Sequence, residues 1–173
     1  MADLSVELCG LRLKNPVIAA SGTFGFGREF DELYDIGLLG GVSTKGLTLE
    51  ARLGNPVPRI AEARGVILNA VGLQNPGVEH FIKYDLDWLK GKGTAVIANV
   101  AGRTKEEYAD ICARLDGLAD MIELNISCPN VKCGGMAFGI RPESVEEVTR
   151  AAKSALKKTP LMVKLSPNVE SIA

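Results

Sequence analysis

The sequence predicts an α/β fold, and two patterns carry that prediction. Short β-rich runs alternate with helical patterns along the chain. The order strand, loop, helix, strand makes successive strands parallel, joined by right-handed crossovers. A closed barrel and a doubly wound open sheet both satisfy this order. The chain has 173 residues, 46% hydrophobic and 24% charged, with net charge −1, the balance of one soluble globular unit.

The elements follow in order. VELCGLRL (Val6 to Leu13) reads as a small hairpin turning at Cys9-Gly10, and PVIAAS begins a buried strand ending near Ser21. GGVSTKG supplies a second strand ending at Lys45, and TAVIANV (Thr94 to Val100) a third. MIELNIS (Met121 to Ser127) and LMVKLS (Leu161 to Ser166) are the fourth and fifth. Between strands, Thr104 and Glu107 form a capping box before an apolar stripe of Tyr108, Ile111, Cys112 and Leu115 at helical spacing. Pro142 opens another helix, with Val145, Val148, Ala152, Ala155 and Leu156 on its inward face. The stretch from Gly46 to Gly93 is long for one crossover, and LGNPVPRIAEARGVILNAVGLQNPG within it reads as an inserted hairpin plus loop. About five core strands are visible where a full barrel needs eight and about 250 residues, so the chain is expected to be part of a domain.

Composition excludes several function classes. No basic stripe is interleaved with aromatics, which argues against nucleic acid. No apolar run approaches the roughly 18 residues of a membrane span, and Met1-Ala2-Asp3 opens no secretory pattern, so a cytoplasmic protein is expected. Cys9, Cys112, Cys128 and Cys133 are too few and scattered for a disulfide framework. With His80 as the lone histidine, no metal site is expected, and His80 itself reads as a helix-surface residue.

In either architecture ligands sit at the carboxyl ends of the strands. Those ends carry Ser21, Lys45, Asn99, Asn125, Ser127-Cys128 and Lys164, a polar set in otherwise apolar strands. Buried Lys and Asn need partners, and a ligand rich in carbonyls and N–H groups would supply them. Two ammonium groups suit a ligand on which negative charge develops, and the amides suit cyclic imides such as pyrimidines and flavins. GTFGFG (Gly22 to Gly27) lacks the spacing of the dinucleotide fingerprint and reads instead as a turn whose backbone can approach a flat ring. Of the loop thiols, Cys128 stands directly at a strand end before the turn-forming Pro129-Asn130, while Cys133 lies beside Gly134-Gly135. No histidine is placed to activate a nucleophile, so a base role for Cys128 is the simpler reading, with Cys133 a bystander.

ELNISCPNVKCGGMAFG, together with NAVGLQNPG, IANVAG, STKGLT and VKLSPNV, resembles the flavin-dependent dihydroorotate dehydrogenases, and among them the catalytic subunit of the class 1, type B enzymes. The resemblance runs along essentially the whole chain and implies a (β/α)8 TIM barrel of which about the first five strands and an N-terminal hairpin are present. Residues 1–173 are then expected to be the N-terminal part of a single FMN-binding domain.

That resemblance also implies a chemistry. Cys128 would remove the C5 proton of dihydroorotate while hydride passes from C6 to N5 of FMN, giving orotate in pyrimidine biosynthesis. Carried over by motif, Ser21, Lys45, Gly46, Asn99, Asn125 and Lys164 would contact FMN. Lys45, Asn125 and the segment Asn69, Ala70, Val71, Gly72 and Leu73 would hold the substrate. Electrons would pass to a partner subunit carrying FAD and a 2Fe-2S cluster and on to NAD, in a heterotetramer of two catalytic and two electron-transfer subunits. A catalytically incompetent half-barrel and another flavin-binding barrel oxidoreductase are the alternative readings.

Overall fold

The computed structural model describes residues 2–127, 139 and 141–166. It opens with an antiparallel hairpin, β1 (Val6–Leu8) and β2 (Leu11–Leu13), with Val6 opposite Leu13. Both turn residues are left-handed, Cys9 at φ 50° and Gly10 at φ 79°, so the two-residue turn follows the right-handed twist of its strands. Next come β3 (Ile18–Ala19) and β4 (Gly41–Ser43), then an inserted antiparallel hairpin of β5 (Ile60–Ala63) and β6 (Val66–Asn69). The strands β7 (Ala95–Val100), β8 (Met121–Asn125) and β9 (Leu161–Lys164) follow.

The sheet order β3-β4-β7-β8-β9 settles the architecture. All four pairings are parallel, and the strands lie side by side in the order in which the chain makes them. A doubly wound sheet must reverse its direction of winding at a switch point, whereas a barrel wall only advances. The fold is therefore an incomplete (β/α)8 barrel, and each sheet strand lies within two residues of its predicted limits.

Helices cover one face of this wall. They are α1 (Arg28–Asp31), α2 (Val78–Tyr84), α3 (Leu86–Gly91), α4 (Lys105–Leu115) and α5 (Pro142–Ala155), with a short 3-10 turn at Ile36–Leu38. At the start of α4 the Thr104 hydroxyl accepts from the Glu107 N–H at 3.3 Å. The Glu107 carboxylate accepts in turn from the Arg103 N–H at 2.8 Å, one residue earlier than the box predicts. Tyr108, Ile111, Cys112 and Leu115 are buried as their spacing predicts. Along α5, Val148, Ala152 and Leu156 are buried, while Val145 and Ala155 pack half-buried at the margin.

The period of two along the strands separates two interiors. Val42, Val96, Ala98, Val100, Ile122 and Leu124 join the helices in the main apolar core. Their neighbours Ser43, Ile97, Asn99, Met121, Glu123 and Asn125 are equally buried but face the barrel interior, where the lower layer is apolar and the upper layer polar. The strands β3 and β9 are half-buried, β3 where the sequence predicts burial, because each pairs on one side only.

Candidate active site

A parallel barrel wall brings every strand's carboxyl end to one rim. There a cavity of about 460 Å3 is lined by Ser21, Lys45, Gly46, Asn99, Asn125 and Lys164 from the strand ends. Asn69 at the end of β6 and Val71, Gly72 and Leu73 just after it line it from the inserted hairpin's exit, and Gly22, Ile60 and Ser127 complete the wall. Ala70 is turned into the hairpin's own ladder: its N–H donates to the Arg59 carbonyl at 2.9 Å and its carbonyl accepts from Asn55 Nδ2 at 2.7 Å. Cys128 and Cys133 lie outside the described residues. His80 sits exposed on α2 with Nδ1 3.5 Å from Asp85 Oδ2, and Cys112 is in the helix core, where burial pushes its thiol up to about 12.

The two amides are tied to each other. Asn125 Nδ2 donates to Asn99 Oδ1 at 3.2 Å, and Asn125 Oδ1 accepts from the Ser127 N–H at 3.3 Å and its hydroxyl at 3.1 Å. The backbone beneath is held as well: the Asn99 N–H donates to the Thr44 hydroxyl at 3.1 Å, and the Tyr108 hydroxyl donates to the Asn125 carbonyl at 2.8 Å.

Below this layer lies Glu123, which strand-end reasoning passes over. Its Oε1 accepts from the Ser21 hydroxyl at 3.3 Å, from Asn99 Nδ2, and from Lys164 Nζ at 3.2 Å. Its Oε2 accepts from the Ser43 hydroxyl at 2.8 Å, and Lys164 Nζ also donates to Ser21 Oγ at 2.9 Å. The Glu123 side chain is 7% exposed and that of Lys164 39%, so the carboxylate is the buried member and the ammonium reaches toward the opening. The sequence did carry one signal: a carboxylate inside an otherwise apolar strand must be paired and hydrogen-bonded.

The floor and wall depend on close backbone approach. A Cβ on Gly46 would stand 2.9 Å from both Asn99 Oδ1 and Leu73 Cδ1, so a side chain there would force one of them to shift. Gly72 and Leu73 are both left-handed, at φ 77° and 57°; for leucine this conformation costs roughly 1–2 kcal/mol. It is held by Asn75, whose Nδ2 donates to the Leu73 carbonyl at 2.9 Å while Oδ1 accepts from the N–H groups of Thr48 and Gly77. In the GTFGFG turn, Gly22, Gly25 and Gly27 are all left-handed, and of these Gly22 lines the cavity. The Gly25 carbonyl instead accepts from the Lys45 N–H at 2.8 Å, positioning the strand end that carries Lys45.

Comparison with known proteins agrees with this architecture. A solved structure of DHODH from Eimeria tenella in complex with ferulenol superposes with a TM-score of 0.76, covering 96% of this chain and 53% of that one at 22% identity, a likeness of fold. Among curated relatives, the dihydroorotate dehydrogenase B (NAD(+)) catalytic subunit of Caldicellulosiruptor saccharolyticus is 56% identical over 171 residues, covering 99% of this chain and 57% of the relative. The protein of the same name from Anoxybacillus flavithermus is 53% identical over 174 residues, covering 99% and 55%. The chain thus spans little more than half the length of these relatives. The family described as dihydroorotate dehydrogenase matches residues 3–173, and the chain belongs to that family.

Proposed function

We propose that residues 1–173 are the N-terminal part of a single FMN-binding barrel domain that oxidises dihydroorotate to orotate. The observation that carries the reading is the convergence of Lys45, Asn99, Asn125 and Lys164 on one cavity, where a Cβ at Gly46 would displace Asn99 or Leu73. The cavity's volume falls within the roughly 300–1,000 Å3 of small-molecule sites, and its donors suit a planar imide on which negative charge develops. A flavin bound there would accept the hydride from C6 of the substrate. Ser21, Lys45, Gly46, Asn99, Asn125 and Lys164 would hold it, with the lysines answering the charge that reduction brings. Lys45, Asn125 and the Asn69 to Leu73 segment would orient dihydroorotate, and Cys128 would take its C5 proton.

The NAD-linked names of the curated relatives support a finer reading. Electrons would leave through a partner subunit carrying FAD and a 2Fe-2S cluster, in a cytoplasmic heterotetramer of two catalytic and two electron-transfer subunits. Among the described residues no helix is long and apolar enough to cross a membrane. The coverage of relatives favours one rival, an incomplete barrel without activity.

Reconstitution with FMN separates the two. The proposal expects a yellow protein after gel filtration whose flavin absorbance bleaches on anaerobic addition of dihydroorotate. A colourless protein would sink it in favour of the inactive fragment; a yellow one that dihydroorotate leaves unbleached would point to another flavin-dependent barrel oxidoreductase.

A further inference from the structure

Glu123 is a buried carboxylate that the proposed chemistry leaves unused. It does not line the cavity, yet three of its four hydrogen-bond donors, Ser21, Asn99 and Lys164, do. The fourth, Ser43, holds the other carboxylate oxygen from the buried strand beneath. An ionised carboxylate accepts hydrogen bonds and donates none, so it dictates which way each neighbour points. Asn99 must present Nδ2 to Glu123, which leaves Oδ1 to accept from Asn125 Nδ2, and Asn125 Oδ1 to accept from Ser127. One carboxylate thus polarises a chain of two amides facing the cavity.

We infer that Glu123 is a positioning residue: it anchors the Lys164 ammonium against Ser21, orients the Asn99 and Asn125 amides, and as counter-charge sets how much positive field the cavity presents to a bound flavin. The inference rests on the flavin reading above. Its electrostatics follow from charge number. With Glu123 ionised the pair it forms with Lys164 is neutral; without that charge the pair is cationic and favours a reduced, more negative flavin.

The test is the flavin midpoint potential of the FMN-loaded protein, measured by dye equilibration. Glu123→Gln keeps an acceptor for Lys164 and removes the charge, and is expected to shift the oxidised–reduced equilibrium at least about tenfold toward reduced flavin, about 30 mV for a two-electron couple. Glu123→Asp, which restores the charge, is expected to return the potential toward wild type. Ser43→Ala removes one donor from the carboxylate without touching the cavity and is expected to move the potential the opposite way by a smaller factor; it decides the matter if Glu123→Gln fails to fold. A Glu123→Gln protein that takes up FMN with the wild-type potential overturns the inference, as does an unmoved Ser43→Ala potential where that variant decides. If the wild-type protein takes up no FMN, the flavin reading falls first, and that failure shows before any variant is made.

Discussion

The Tyr108 hydroxyl donates to the Asn125 carbonyl at 2.8 Å, so a helix outside the barrel wall holds the backbone of a residue lining the cavity inside it. Both partners are buried, and α4 is thereby pinned to the carboxyl end of β8. Tyr108→Phe removes the donor and leaves the carbonyl to find another. The expected loss is about 0.5–1.5 kcal/mol, read as a lower denaturant midpoint at unchanged slope. A midpoint equal to wild type would show that the bond contributes nothing.

Gly46→Ala places a methyl group where Asn99 Oδ1 and Leu73 Cδ1 already stand. Either the amide or the Leu73 wall must yield, and both line the cavity. FMN affinity is expected to fall at least about tenfold while the melting temperature drops by only a few degrees, the consequence of about 1–2 kcal/mol of local overpacking. Titration of flavin fluorescence checks this, and full affinity would mean that the ring does not approach that floor.

Cys128→Ser keeps the shape of the proposed base and raises its pKa far above neutrality. Flavin reduction by dihydroorotate is expected to slow by about two to four powers of ten near neutral pH, with FMN and orotate still bound. Cys133→Ser should change little. Stopped-flow reduction of both variants would reassign the base if the larger loss fell on Cys133.

Burial holds the Cys112 thiol neutral up to about 12, against an ordinary value of 9.0, while Cys9 is exposed in its turn. At pH 8 a thiol reagent should label Cys9 at least about a hundredfold faster than Cys112, by mass spectrometry of the folded protein. The folded-state value is raised, so the contribution to stability is whole below about 9 and is lost as pH rises from there toward about 12.

Asp116 shows the opposite linkage. Its carboxylate accepts the N–H groups of Thr159, Lys158 and Lys157, and these bonds lower its pKa from 3.8 to about 2. A lowered folded-state value means stability present above 3.8 and lost as pH falls through about 2. Asp116→Asn should flatten the acid limb of a melting-temperature profile between pH 4 and 2; an identical limb would remove Asp116 as its cause.

Much of the fold was legible because its signals are local. The Cys9-Gly10 turn, the Thr104 cap, the Pro142 start and the apolar stripe of α4 each depend on neighbours within one or two turns of chain. The strand ends were legible for a similar reason, since Lys45, Asn99, Asn125 and Lys164 interrupt apolar runs. Glu123 was not, although it interrupts such a run too. Its four partners come from β4, β7, β9 and the loop after β3, and no local pattern pairs them. Ala70 marks the opposite case: the motif includes it with its neighbours, but the hairpin ladder holds it away from the cavity they line.

By itself the sequence determined that parallel strands alternate with helices, which polar side chains stand at the strand ends, and which family the chain resembles. Periodicity, capping and turn chemistry act over a few residues, and motifs are strings. Residue pattern left a barrel and a doubly wound sheet both open; tertiary structure decided between them, through a strand order that never reverses, in agreement with what the resemblance implies. It also decided that Ser21 and Lys164, 143 positions apart, meet over the carboxylate of Glu123. Strand pairing is a non-local choice, made by burial of the apolar faces, and the polar partners it brings together follow from it.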